Sequence, residues 1–392
     1  MNGSRRRVRL MQIAAAVALV LTTAGCSGGL AGGGATASSS GPIKMGMLAP
    51  FSGSESAFGD YMKYGAQLAI NEINDKGGID GRKVELVVED DACDATTAVA
   101  AANKLVTEGV DISVGGYCSG ATLPTMPIFN SAKIPMIIPA ANSNKLVEAN
   151  MPGAFLINGT GTQQAESALK YAQKIGAKTV ATIDDATAYA ADLASSFRSQ
   201  AEKAGETVAF KATITPGEHD YSSVATQLAS AKPDMVYWTG YYQEGGLIAR
   251  QAKDAGYTGV FMVGDGSVDA KFAEIAGKGY TDNVVGTFTQ TPDMLKGADA
   301  WLASYKKVAG AEPGPYSTQS YDAVRVAAQG IKDAGSTDFT KVVAALTALK
   351  DFKTFAGPLT FTPERTPSAG GFVIVKIDPA TGKFVLKDDL QG

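Results

Sequence analysis

The chain of 392 residues is poor in the groups on which most enzymes and metal proteins depend. It has one histidine, three cysteines and no C-x-x-C pair, which leaves no credible zinc or iron–sulfur ligand set. It also lacks a Walker A sequence and a G-x-G-x-x-G, the glycine-rich cradles that hold nucleotide phosphates. The single His219 stands in Gly217-Glu218-His219-Asp220-Tyr221, which reads as a helix start with no nucleophile nearby in sequence. Gly25-Cys26-Ser27-Gly28-Gly29 matches the hydrolase G-x-S-x-G pattern, but no strand precedes it and no helix follows, as that motif requires. These absences argue against an exported α/β enzyme, and no cofactor or metal is implied. Clustered basic residues are confined to the first nine positions. With Arg5, Arg6, Arg7 and Arg9 set aside, 31 basic side chains face 39 acidic ones, a net charge near −8. An acidic body without a basic tract is a poor partner for nucleic acid. The N-terminal apolar run, Leu10 to Ala24, has 15 residues, short of the roughly 20 that cross a bilayer. No later run is long and apolar enough to do so.

What is present begins with an address. The arginines form a basic region ahead of the apolar run, and Thr23-Ala24-Gly25-Cys26 follows. Small residues directly before a cysteine resemble a bacterial lipobox, in which Cys26 is lipidated and becomes the mature N-terminus. Thr23 departs from the aliphatic residue usual there, and the alternative is an ordinary secretory signal with an incidental cysteine. Ser4-Arg5-Arg6 leaves twin-arginine export open beside the general route. Residues 1–25 are expected to be a signal peptide. Residues 26–41, Gly, Ser, Ala and Thr with one Leu after the cysteine, are expected to be a lipid-anchored flexible tether.

The body from Pro42 onward is too long for a single core and suits two domains. Strand and helix signals alternate along it. Ile43–Ala49, Val84–Glu89, Ile112–Val114, Pro135–Pro139 and Phe155–Ile157 read as strands, with helices over Phe58–Asp75, Ala95–Glu108 and Ser119–Ala132 between them. A second set has strands Thr179–Ile183, Thr207–Lys211, Met235–Trp238, Val260–Val263 and Val284–Phe288. It ends in amphipathic helices over Ala298–Val308, Ser317–Asp333 and Phe339–Leu349, then strands near Leu359–Phe361 and Phe372–Ile377. Near-continuous apolar strands alternating with helices predict a doubly wound α/β architecture. Cys93 and Cys118 each follow a strand and precede a helix. In an exported protein that favours a disulfide over two buried thiols.

Ligands of open α/β sheets sit outside the carboxyl ends of the strands. Ser119 and the segment Ala140–Asn142 fall at such ends, and a helix start at Ser119 suits a carboxylate or phosphate. Asp265 follows a strand inside Gly264-Asp265-Gly266. If buried it needs a cation, which a ligand ammonium supplies; otherwise it is a turn residue. Phe58, Tyr189, Tyr241, Tyr242 and Tyr316 fall where strands end or helices begin and together are able to wall a small cavity. Asp90, Asp91 and Asp94 read as solvated loop acids, with one serving as an N-cap.

Several stretches resemble one family. They are Gly59–Gly81, the run DDACDATTAVAAANKLV from Asp90 with a second cysteine 25 residues after Cys93, Pro139-Ala140-Ala141-Asn142, Gly240-Tyr241-Tyr242 and Gly314-Pro315-Tyr316. The body is similar over nearly its whole length to the leucine/isoleucine/valine-binding proteins, the extracytoplasmic receptors of branched-chain amino acid ABC transporters. The resemblance implies two α/β lobes joined by three crossovers: 42–160 plus 289–368, and 161–288 plus 369–392. It implies a small amino acid ligand, Leu, Ile or Val first, permease subunits as partners, a monomer, and a location on the outer face of the bacterial cytoplasmic membrane or in the periplasm. Ser119 then matches the hydroxyl that binds the ligand carboxylate, with backbone help from Ala140. Asn142 stands where Thr is common, and Asp265 where Glu holds the ammonium. Phe58, Tyr189, Tyr241 and Tyr316 match wall positions. Related receptors bind amides, urea or aromatic acids, or act as sensors.

Overall fold

In a computed structural model of the protein, residues 41–289, 294, 297–369 and 371–390 are described. The expected signal peptide, Cys26 and nearly all of the tether lie outside them. The first half of the body comprises β1 (Ile43–Ala49), α1 (Ser56–Asp75), β2 (Val84–Asp90), α2 (Ala95–Thr107), β3 (Ile112–Ser113), α3 (Ser119–Ser131), β4 (Met136–Ile138), α4 (Asn144–Glu148) and β5 (Ala154–Leu156). Its five strands are parallel, in the order β2-β1-β3-β4-β5. The chain then crosses to a second sheet through α5 (Gly161–Lys174), β6 (Thr179–Asp184), α6 (Ala188–Lys203), β7 (Thr207–Thr213), α7 (Ser222–Ala231), β8 (Met235–Trp238), α8 (Tyr242–Asp254), β9 (Val260–Val263), α9 (Ala270–Ala276) and β10 (Val284–Phe288). It goes on with α10 (Asp299–Ala309), α11 (Ser317–Ala334), α12 (Phe339–Thr347), β11 (Phe352–Thr354), β12 (Gly357–Leu359), β13 (Val373–Ile377) and β14 (Phe384–Asp388).

The second sheet repeats the winding of the first. Its parallel strands run β7-β6-β8-β9-β10, and β13 and β14 extend it antiparallel beyond β10. In both sheets the chain steps one way from its first strand and the other way afterwards. The crevice for a ligand opens at that reversal. On the first sheet it lies beyond β1 and β3, and on the second beyond β6 and β8.

The helices after β10 return to the first sheet before the chain crosses back. α11 packs along α1 and over β4. The close approach of α1 and α11 requires Gly65, where a Cβ would lie 2.0 Å from the Ser317 carbonyl oxygen. The chain therefore passes between the sheets three times: before α5, after β10 and before β13. The strands are apolar because helices cover both faces; β8, Met-Val-Tyr-Trp, is buried throughout. α5 opens with a capping box, Thr160 to the Gln163 N–H and the Gln163 side chain back to the Thr160 N–H.

Cys93 and Cys118 form a disulfide with their Cα atoms 5.4 Å apart. It ties the loop after β2 to the start of α3. Asp94 caps α2 by accepting from the Thr97 N–H, as the sequence predicts. Asp91 corrects the expectation of a solvated acid, being 1% exposed. The left-handed backbone at Ala92 and Cys93 turns the loop back, and the Asp91 carboxylate accepts from the Cys93 N–H at 2.8 Å. The run from Gly217 to Tyr221 leads into a helix as expected: Tyr221 is the N-cap of α7, which begins at Ser222.

A buried carboxylate between two sheets

The site grows out of the strand ends. β9 ends at Val263 and delivers Asp265 into a short 3-10 turn, Asp265–Ser267. The carboxylate is buried and takes four side-chain hydrogen bonds. Tyr189 Oη donates to Oδ1 and Tyr316 Oη to Oδ2, each at 2.6 Å. Gln164 Nε2 donates to Oδ1 at 3.0 Å and Asn142 Nδ2 to Oδ2 at 3.1 Å. Tyr189 comes from the start of α6 and Gln164 from the first turn of α5. Asn142 follows β4, and Tyr316 precedes α11. Gly264 permits the Tyr189 contact, since a Cβ there would lie 2.4 Å from Tyr189 Oη. Tyr316 is held at φ 65°, an uncommon conformation for a bulky residue; its bond to Asp265 helps to offset that strain.

Burial pushes the Asp265 carboxyl above its usual range, and the bonds from Tyr189, Tyr316 and Gln164 work against that shift. Its hydrogen-bond partners are two phenols and two amides; none is a cation. Burial also holds the phenols of Tyr189 and Tyr316 well above their usual range, with the charge of Asp265 adding to the effect. They remain neutral donors. Gln164 also donates to Thr287 Oγ1 at 2.9 Å and accepts from Asn142 at 2.9 Å. It thus links the carboxylate to β10, the strand before the second crossing.

Opposite Asp265 stands the start of α3. Ser119 is buried, and its Oγ accepts from the N–H groups of Asn142 at 3.3 Å and Ser143 at 3.2 Å. With two donors on its oxygen, its own proton is left to give. The space between is lined by Tyr117, Ala140, Asn142, Tyr189, Tyr241, Asp265, Gly266 and Tyr316, and has a volume of about 10 Å³. That is on the order of what one water needs, so nothing larger fits between the sheets in this arrangement.

Of the eight residues that the resemblance assigns to the site, the structure brings six onto this space, and Tyr242, the further aromatic candidate, is not among its lining residues. Ser119 lies behind Asn142 instead. Phe58 forms a second layer, stacked on Tyr117 with centroids 4.4 Å apart and 6.1 Å from Tyr316. Sequence reasoning missed Tyr117 and Gln164. Tyr117 adjoins Cys118-Ser119 at the same strand-to-helix turn, and that position was the signal for it. Gln164 reads as an ordinary polar residue in a first helical turn, and only the crossing of α5 buries it.

Residues 42–383 match the model of a periplasmic binding protein family. The Leu/Ile/Val-binding protein BraC3 of Rhizobium johnstonii is 36% identical over 349 residues, 88% of this chain and 93% of that protein. Among solved structures, the leucine binding protein LivK of Thermotoga maritima superposes with a TM-score of 0.80 at 27% identity, covering 88% of this chain and 97% of the other. The branched-chain amino acid transporter substrate binding protein LivJ of Streptococcus pneumoniae, solved in complex with isoleucine, gives 0.77 at 28% identity, covering 88% and 100%. With its two like-wound sheets, its three crossings and these relatives, the chain belongs to the Leu/Ile/Val-binding proteins of the periplasmic binding protein family.

Proposed function

We propose that the protein is an extracytoplasmic receptor that closes on a small amino acid and presents it to the permease of an ABC transporter. The observation that carries this reading is Asp265, a buried carboxylate with no cationic hydrogen-bond partner among the described residues, facing the amino end of a helix across aromatic walls. A zwitterion fits that arrangement. Its ammonium meets Asp265, and its carboxylate meets the backbone around Ala140 at the positive end of the α3 dipole and, once the Asn142 side chain has left Asp265, the Ser119 hydroxyl behind it. Tyr189, Tyr241 and Tyr316 enclose the aliphatic part, with Phe58 behind them. The relatives make leucine, isoleucine and valine the first ligands to test.

In this reading residues 42–160 with 289–368 move as one lobe and 161–288 with 369–392 as the other. When the lobes part, Asn142 and Tyr316 leave Asp265, and the incoming ammonium takes their place. Ligand binding shifts the population back toward the closed form. Cys26 carries the lipid anchor, residues 26–41 are the tether, and the receptor works as a monomer outside the cytoplasmic membrane. Cys26→Ser is expected to release the protein from membranes in a fractionation experiment. Retention would sink the anchor but not the receptor.

The test is thermal unfolding of the protein against the common amino acids, with urea and simple amides included. A ligand at 100 times its dissociation constant adds about 2.7 kcal/mol to the folded state. Shifts with amino acids support the reading. A second reading, a neutral amide on the same fold, is favoured by one observation: the four donors already fill the lone pairs of Asp265. Shifts with amides alone would select it.

A further inference from the structure

A second group of acids lies beside the site. Glu55 follows β1 in the first sheet's crevice and precedes α1. It is 2% exposed and faces elements of the second sheet. The neighbouring Ser54 carbonyl accepts from Tyr242 Oη at 2.6 Å and from Gln243 Nε2, both at the start of α8. Glu244, in the first turn of α8, and Asp185, at the end of β6, are also buried. Burial, followed by the charges of Glu244 and then Asp185, drives the Glu55 carboxyl well upward, against hydrogen bonds from the Ser54 and Gln243 side chains. The amino end of α8 offers partial positive charge, but Glu244 already occupies that turn.

The hydrogen-bond inventory gives the independent indication. Glu55 Oε2, Tyr117 Oη and Gln243 Oε1 are buried and have no partner among the described residues. Buried polar groups are rarely left so. A carboxylate oxygen and an amide oxygen only accept, and a phenol is able to accept. Tyr117 is 5% exposed and lines the space beside Asp265; burial, and after it the charge of Glu55, holds its phenol well above the usual range. Its ring also lies 6.2 Å from that of Tyr241. Of the unpaired groups Tyr117 borders the ligand space, and Glu55 accepts through its carbonyl from the N–H of Phe58, whose ring stacks on Tyr117; together they ask for donors and positive charge. A purely aliphatic side chain supplies neither.

We infer that the ligand is an amino acid whose side chain ends in hydrogen-bond donors (ammonium, guanidinium or amide), received by Glu55 and Tyr117. This rests on the amino acid reading above and narrows it. Asp265 holds the α-ammonium, while Glu55, Gln243 and Tyr117 read the distal group.

The test is calorimetric titration of the full chain with size-matched pairs: lysine against norleucine, glutamine against leucine, and threonine against valine. The donor-bearing member of the lysine or glutamine pair is expected to bind at least about tenfold more tightly, because a site built for a donor leaves its acceptors unpaired with the isostere. Lysine ahead identifies a cationic end group, and glutamine ahead an amide. Glu55→Gln is expected to shrink the lysine ratio more than the glutamine ratio, and Tyr117→Phe to shrink whichever ratio is largest. Each variant is first checked by its melting profile without ligand, and Tyr117→Phe decides if Glu55→Gln does not fold. Aliphatic members binding more tightly in both pairs, or ratios unmoved by either variant, would overturn this inference and leave the receptor reading intact. Threonine ahead of valine alone would also overturn it. Silence from every amino acid, from a folded sample, would overturn both.

Discussion

Asp265 and Glu55 are each 2% exposed, each lies between the two sheets, and burial raises the pKa of each. They differ in what surrounds them. Asp265 has four donors aimed at its two oxygens from four separate elements. Glu55 has an oxygen with no partner among the described residues and two further acids nearby. The first is a finished environment for a charge, and the second awaits something that brings protons or positive charge. Low dielectric strengthens the satisfied group and penalises the orphan. Asp91 is an intermediate case. It is buried with the Cys93 N–H as its hydrogen-bond donor, and burial pushes it up to about 6. Its neighbour Asp90, which burial also pushes upward, is held below the usual carboxylate range by the Ser52 side chain and the N–H groups of Phe51, Ala92 and Ser52. Adjacent acids thus move in opposite directions according to donors received.

The contrast is open to test, and the largest effect belongs to the finished site. Asp265→Ala strands two phenols and two amides, and is expected to cost about 3–5 kcal/mol of stability and at least about 100-fold in ligand affinity. Chemical unfolding and calorimetry measure both, and wild-type affinity would remove Asp265 from the ligand contact. Next comes the double change Cys93→Ser with Cys118→Ser, expected to cost roughly 3–4 kcal/mol by the entropy of the opened loop. It should lower unfolding midpoints alike across pH, because it alters no charge.

The smallest of the three effects is a pH slope. Asp91 has its folded pKa raised, so its contribution is fully present below its unfolded pKa of about 4 and is lost as pH rises through about 6. Asp91→Asn keeps the acceptor for Cys93 and cannot titrate. Above pH 6 it should be more stable than the parent by on the order of 2 kcal/mol, an advantage that vanishes at about pH 4. Melts between those limits would show parallel curves if donor count were irrelevant.

Much of the fold was legible because parallel strands buried on both faces must be continuously apolar. Ile43–Ala49, Met235–Trp238, Val260–Val263 and Val284–Phe288 coincide with β1, β8, β9 and β10 for that reason. The short elements α4, α9 and β11 were not read, since five to seven residues of helix or three of strand show too little periodicity. At the site, strand ends pointed to Asn142, Tyr241 and Asp265. Asp91 misled because a run of acids reads as solvated, whereas its burial follows from the turn at Ala92 and Cys93. Glu55 stood in a Ser- and Gly-rich loop, and its enclosure comes from α8, nearly 190 residues later.

The placement of β13 and β14 governs the order in which the molecule is completed. β10 is an inner strand only because β13, made about 85 residues later, lies along it. A nascent chain that has reached Phe288 exposes that edge with its N–H and C=O groups unpaired, a template for joining other chains. The second half therefore cannot close as an independent unit during synthesis. Shortening the C-terminus by the final twenty residues should make the product aggregate, although no residue of the ligand space has been removed.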